Sequence, residues 1–201
     1  TALQGLADIR FNRCLITDEF VNGESELIIF SDAGRRGYGA VAYIRTISPA
    51  GQIKVDLLMS RGRVSPTKEL SIARLELCGA LEAVRLESYI KDAMDISFVS
   101  TTFFVDSKIV LAYITNNSKR FSAFVAHRVR EIRETTVPSQ WNYIESKSNP
   151  ADIITHGCNG DAIPPLWFTG PDFLYKFRNE WHHPSTQISL PPDAEVITDY
   201  A

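Results

Sequence analysis

Four carboxylates, Asp32, Glu76, Asp106 and Asp152, stand where regular structure starts or stops. Asp32 follows the apolar run Leu27-Ile28-Ile29-Phe30, and Asp106 follows Phe103-Phe104-Val105. Both therefore come at the carboxyl ends of strands, the edge where α/β folds bind ligands. If those strands are adjacent and parallel, they lie about 4.8 Å apart. Two carboxylates that close repel each other and resist ionisation. A divalent cation removes the penalty, and Mg2+, which takes oxygen ligands and keeps waters, suits carboxylates together with a substrate phosphate. Taken singly, an Asp after a strand is an ordinary turn or cap residue, and a helical Glu faces solvent. Glu76 departs from that pattern, because it lies between Leu75 and Leu77, one turn from Ile72 and close to an apolar face. Acidic groups against apolar surface are costly without a partner.

The elements that must position these groups can be read from periodicity. Residues 26–33 form a first strand ending in the turn signal Ser31-Asp32-Ala33-Gly34. Residues 37–47, small and β-branched, form a second, and Ser48-Pro49-Ala50-Gly51 turns the chain into a third over 52–60. Three strands on short turns predict an antiparallel meander. Helical spacing of Ile72, Leu75, Cys78, Leu81 and Leu86 then predicts a helix over about 72–92, capped by Ser71. Residues 97–105 form a fourth strand. Helices follow around 109–114 and 121–135, then a short strand over 140–145 and a last helix starting near Asp152. The order βββαβααβα, a three-strand meander and then helices and strands alternating, predicts an α/β fold: a five-stranded mixed sheet, antiparallel then parallel, flanked by helices on both faces.

The charge is uneven. The whole chain carries −3, yet residues 25–150 hold 17 basic and 13 acidic side chains, and residues 151–201 hold 2 and 7. Arg35-Arg36, Arg61-Gly62-Arg63 and the stretch from Lys119 to Arg133 either contact phosphates or make solvated faces. The three cysteines have no close pairing, which predicts free thiols in a reducing compartment and no zinc site. The pairs His156/Cys158 and His182/His183 do not complete a ligand set. Regular apolar runs exclude a disordered chain, and none approaches the ~20 residues of a membrane helix. No secretion leader opens the chain, and it does not begin with Met, so it reads as a piece of a longer protein. Three segments are expected: a lead-in over 1–24, a domain over 25–157, and an extension over 158–201. The extension is rich in proline and is expected to pack through Trp167, Phe173 and Trp181.

Ser31-Asp32-Ala33, Gly37-Tyr38-Gly39-Ala40-Val41, Arg74-Leu75-Glu76-Leu77 and Asp106-Ser107, in that order, resemble the ribonuclease H family. The wording of four segments is closer to one branch: Ile72-Ala73-Arg74-Leu75-Glu76-Leu77-Cys78, Val105-Asp106-Ser107-Lys108, Phe124-Val125-Ala126-His127-Arg128-Val129 and Asn149-Pro150-Ala151-Asp152. They are similar to the ribonuclease H domain of BEL/Pao-type LTR retrotransposon polyproteins. Leu166-Trp167-Phe168-Thr169-Gly170-Pro171 resembles the segment before integrase there, and residues 9–14 resemble the junction after reverse transcriptase.

The resemblance implies a ribonuclease H-like fold and hydrolysis of the RNA strand of RNA–DNA hybrids during reverse transcription. It implies two Mg2+ ions, with Mn2+ a substitute, held by Asp32, Glu76, Asp106 and Asp152, and a 5′-phosphate product. Asp32 would bridge both ions. Gly34 and Ser71 are expected near the 2′-OH, and Lys108, Arg120 and Arg128 at phosphates. The loop before Asp152, Glu145-Ser146-Lys147-Ser148-Asn149, lacks the histidine that ribonucleases H often carry there, and His156 is the accessory residue placed to reach the site. No basic protrusion helix separates the two helices after Asp106, and His127 reads as a helix-surface residue. Implied partners are the hybrid and the reverse transcriptase and integrase regions of the same polyprotein, with no membrane, in an intracellular setting, the cytoplasmic virus-like particle before the nucleus. The alternative is an inactive or domesticated module that binds nucleic acid or a protein through its acidic, Trp-containing tail. An aspartic protease is disfavoured because Ala33 stands where a hydroxyl is needed. An integrase-type transferase normally uses three acids.

Overall fold

The chain is described by a computed structural model over residues 9–10, 14–181, 188–191 and 194–197. Residues 11–13 of the junction-like segment and the His182/His183 pair lie outside the described residues. Strand β1 (Glu24–Ala33) is buried from Ser25 onward, which makes it the centre of the sheet. It pairs antiparallel with β2 (Gly37–Ile47), which pairs antiparallel with β3 (Ile53–Val64). On its other side β1 pairs in parallel with β4 (Phe98–Val105), and β4 with β5 (Trp141–Tyr143). The order β3-β2-β1-β4-β5 is the predicted mixed sheet.

Two strands differ in length from their periodicity. β3 runs to Val64 because Tyr38 and Gly37 of β2 go on pairing with Arg63 and Val64, past the end of the apolar alternation. β5 has three residues because its ladder meets only Phe103, Phe104 and Val105 of β4.

One sheet face carries α1 (Ile72–Ala93), α2 (Lys108–Thr115) and α3 (Ala123–Thr135). Leu77, Leu81, Leu86, Val110, Ile114, Val125 and Ile132 fill that layer against Leu27, Ile29 and Phe103. The second face is covered by α4 (Asp152–His156), α5 (Pro165–Thr169) and the turns that follow. Ile28, Phe30, Val41, Tyr43 and Phe104 pack there against Ile144, Ala151, Leu174 and Trp181, with Trp167 and Phe173 partly buried beside them. Arg45 is fully buried under this cover, and it donates to Glu26 at 2.5 Å and to the Leu174 and Lys176 carbonyls at 2.7 and 2.6 Å. Glu26 also accepts from Arg178 at 2.8 Å. Among the described residues no helix is long and apolar enough to cross a membrane.

Candidate active site

The parallel register sets Ser31 opposite Val105, so the next residues, Asp32 and Asp106, emerge side by side at the carboxyl edge of the sheet. α1 begins at the same edge and delivers Glu76 from its first turns. Asp32, Glu76 and Asp106 can each offer one carboxylate oxygen such that the three lie within 4.8 Å of one another. Asp152, Asp32 and His156 form a second such group, sharing Asp32 with the first.

Two glycines let the elements close on Asp32. A Cβ on Gly79 of α1 would stand 2.7 Å from the Asp32 carbonyl oxygen. A Cβ on Gly39, opposite Asp32 in β2, would collide first with the Arg61 carbonyl oxygen of β3 and would stand 2.9 Å from the Ile154 Cγ2 of α4. The clash at Gly79 is with backbone, so Gly79→Ala is expected to push α1 and Glu76 away from Asp32. Overpacking of this kind costs about 1–3 kcal/mol, and thermal melting and nuclease assay of the variant should show both effects, with an unchanged activity contradicting the account.

α4 is tied down by Asn149 and Thr155, to which sequence reasoning had given no role in the site, and by Arg36 of the Arg35-Arg36 pair. Asn149, 1% exposed, donates to the Ser31 carbonyl of β1 at 3.0 Å and accepts from the Ala151 amide at 3.1 Å. The Thr155 hydroxyl donates to the Asp32 carboxylate, and Arg36 donates to the His156 carbonyl at 2.9 Å. His156 Nδ1 lies 3.0 Å from Asp152 Oδ1, one helical turn back, with both side chains well exposed. The available signals were Asn149 within Asn149-Pro150-Ala151-Asp152, and Thr155 three residues beyond Asp152 on a short helix.

The electrostatics of the group are unfavourable without a cation. Burial, and then the charges of Asp106 and Asp32, push the Glu76 carboxyl up to about 9. Asp32 is raised by burial, with Asp106 and Asp152 acting the same way, against the lowering hydrogen bond from Thr155. Asp106 Oδ1 is buried with no hydrogen-bond partner among the described residues. An orphaned carboxylate oxygen facing two reluctant acids fits a divalent, oxygen-seeking ion.

The sign of the pH effect follows. In the unfolded chain Glu76 titrates at its ordinary 4.5, whereas in the folded metal-free protein it stays protonated to about 9. Its contribution to stability is complete below the unfolded value and is lost as pH rises from there toward the folded one. In EDTA the melting temperature should fall between about pH 5 and 9. Mg2+ should restore more at the alkaline end, where less proton has to be displaced. A stabilisation by Mg2+ that did not grow with pH would contradict this.

The other expected residues stand on several different elements. Gly34 lies in the β1–β2 turn, where a Cβ would meet the Thr155 Cβ at 3.4 Å. Ser71 caps α1, accepting from the Arg74 amide at 3.3 Å, and lines a cavity of about 420 Å³ with Arg35, Ser65, Thr67 and Leu75. Lys108 opens α2 and stands over the Tyr143 ring at 5.3 Å. Arg120 and Arg128 sit on the α3 side, Arg120 lining a cavity of about 560 Å³ and Arg128 stacked on Phe124 at 3.5 Å. His127 is exposed on α3.

Comparison with known proteins adds a family. The model of the Pao retrotransposon-like RNaseH-like domain matches residues 1–107. Solved structures with similar folds include the N-terminal RNase H domain of Rv2228c from Mycobacterium tuberculosis. It is 16% identical, with a TM-score of 0.46, over 66% of this chain and 92% of that one. RNase H1 from Halobacterium salinarum NRC-1 is 15% identical, with a TM-score of 0.43, over 70% and 100%. LC11-RNase H1, solved in complex with an RNA/DNA hybrid, is 15% identical, with a TM-score of 0.45, over 69% and 100%. No curated protein matched.

Proposed function

The chain belongs to the Pao retrotransposon-like RNaseH-like domain family, and from that premise we propose that it hydrolyses the RNA strand of RNA–DNA hybrids during reverse transcription of a retrotransposon. The observation that carries this reading is the convergence of Asp32, Glu76 and Asp106 from β1, α1 and β4, with Asp106 Oδ1 left without a hydrogen-bond partner among the described residues. Asp32, Glu76 and Asp106 would hold one divalent ion, and Asp32 with Asp152 a second; Mg2+ is the expected metal and Mn2+ a substitute. Bound there, the ions supply Lewis-acid activation of the attacking water and charge neutralisation at the scissile phosphate.

The chain's own residues orient and select. Thr155 fixes one carboxylate oxygen of Asp32 and so orients the group. Asn149 locks the segment that carries Asp152 onto β1. His156, hydrogen-bonded to Asp152, is the accessory group at the rim. Gly34 and Ser71 flank the cluster where the 2′-OH of the RNA strand would be read. Lys108, Arg120 and Arg128 would contact backbone phosphates, which makes activity salt-sensitive. The reverse transcriptase and integrase regions of the same polyprotein are the expected neighbours, in a cytoplasmic virus-like particle.

The alternative is a non-catalytic module that binds nucleic acid or a protein partner, and an absent response to metal would favour it. Of the tail surface offered for a partner, Trp181 is 6% exposed and Leu174 is fully buried, so the sheet already occupies those two side chains.

The test is strand choice. A hybrid, a DNA duplex and an RNA duplex of one sequence are offered with Mg2+ or Mn2+. Cutting of the RNA strand in the hybrid alone supports the reading. Equal cutting of all three, or of the DNA strand, overturns it.

A further inference from the structure

The two ligand groups that share Asp32 differ in kind. Asp32, Glu76 and Asp106 offer oxygen alone, whereas Asp32, Asp152 and His156 offer two carboxylates and an imidazole nitrogen, one atom of each within 4.8 Å of the others. Among the described residues His156 is the one histidine in such a group. An ion with ligand bonds of about 2.0–2.2 Å spans about 4.4 Å between opposite ligands, so a small closure of the side chains brings all three onto one centre. The adjoining group already calls for an ion, since Asp106 Oδ1 is buried with no hydrogen-bond partner among the described residues.

The placement comes from α4. Asp152 opens this helix and His156 closes it, and side chains four residues apart share one helix face, a spacing that suits two ligands of one ion. His156 Nδ1 stands 3.2 Å from the Asp152 carbonyl oxygen and 3.2 Å from the Thr155 hydroxyl, which donates to Asp32. The His156 backbone is fixed on both sides of its carbonyl. Arg36 donates to that carbonyl at 2.9 Å, and the Gly157 amide donates to the Ile153 carbonyl at 2.9 Å. Gly157 then turns the chain away at φ 72, where a Cβ would meet nothing within 4 Å. The imidazole is left 68% exposed, too open for a packing role. As a surface ion pair with Asp152 it would contribute little. As a ligand, its nitrogen decides which ion the position prefers.

Resting on the two-ion reading above, we propose that His156 is a nitrogen ligand of the ion held by Asp32 and Asp152, and that this position prefers Mn2+ to Mg2+. Mg2+ takes oxygen ligands and gives up its waters reluctantly. First-row transition metals accept imidazole alongside carboxylate. The all-oxygen position of Asp32, Glu76 and Asp106 suits Mg2+, so the two positions are unlike in the metal they select.

The experiment counts bound Mn2+ from the paramagnetic resonance of the free ion, and detects nitrogen bonded to it by spin-echo modulation, in the whole chain without nucleic acid. Wild type is compared with His156→Ala and His156→Gln, and melting curves confirm that each is folded. Wild type is expected to bind two Mn2+ ions, one of them with nitrogen modulation. His156→Ala should lose the modulation and weaken one ion by at least ~10-fold, the loss that follows even when a supporting partner of a ligand is removed. Its Mg2+ affinity, read by calorimetry, should be nearly unchanged. His156→Gln, which offers a carbonyl oxygen, should lose the modulation and narrow the gap between Mn2+ and Mg2+. Two bound ions without nitrogen modulation, in a wild type that cuts the hybrid, overturn the nitrogen ligand and leave the nuclease reading standing. Modulation that survives in His156→Ala overturns the ligand as well. Modulation lost in His156→Ala, where the wild type cuts nothing with either metal, supports the ligand and overturns the nuclease reading. No bound ion overturns both.

Discussion

Asp106→Asn is expected to lose RNA-strand cleavage by about 1000-fold or more, the equivalent of ~4 kcal/mol of barrier, while raising the melting temperature of the metal-free protein. The opposite signs have one cause. Asp106 ends β4 beside Asp32, and its charge helps to raise both Asp32 and Glu76. Without a cation it brings repulsion and a buried oxygen with no hydrogen-bond partner among the described residues. Asparagine removes the charge and keeps the shape, so the metal-free fold relaxes, by about 2–4 °C for each kcal/mol recovered in a chain of this size. The same change removes an anionic ligand from the metal cluster. Melting in EDTA and hybrid cleavage in Mg2+ read the two effects separately. A variant that melted lower and still cut would mean that Asp106 serves the fold and not the chemistry.

Trp181→Ala is expected to destabilise the protein by about 3–5 kcal/mol, and a chain covering only residues 25–157 is expected not to fold. Trp181 is 24 residues beyond that boundary, yet its ring packs on Phe104 and Phe173 at 6.1 and 5.1 Å. It also lies under Arg45 and Arg178 at 5.4 and 4.5 Å, and its Nε1 donates to the Lys176 carbonyl at 3.1 Å. Cutting the chain at 157 would strip Arg45 of the Leu174 and Lys176 carbonyls and expose Ile28, Phe30, Val41 and Phe104. Leaving a buried charge short of partners costs about 3–5 kcal/mol by itself, against total stabilities of about 5–15 kcal/mol. Urea unfolding followed by circular dichroism checks both forms. A cooperative transition in the 25–157 fragment would show that the second sheet face needs no cover.

The site was legible where a residue's own position announces it. Asp32 and Asp106 follow apolar strands, and Glu76 interrupts an apolar helix face, so periodicity alone places all three at element ends. The register then did what adjacent parallel strands require. His156 was expected to reach the site, and its Nδ1 lies 3.0 Å from Asp152 Oδ1, one helical turn back. Thr155 and Asn149 were not legible as site residues, because their bonds to Asp32 and Ser31 span 123 and 118 residues and leave no local pattern. On the second face Trp167, Phe173 and Trp181 of the extension were legible as packing residues by type alone, and they lie there. Leu174 was not, because residues 158–181 hold a single five-residue helix and short turns in which it follows no period. Glu195 read as one more acid in an acidic tail until the fold brought it to Arg74.

The most direct test of the central claim is the chemistry of the cut ends. A hybrid with its RNA strand labelled at either end is digested in Mg2+, and the new termini are identified. Attack by water at the carboxylate cluster predicts 5′-phosphate and 3′-hydroxyl ends, formed by the wild type and absent in EDTA. Ends bearing a 2′,3′-cyclic phosphate, formed with or without metal, would mean that the RNA's own 2′-OH is the nucleophile and would contradict the account.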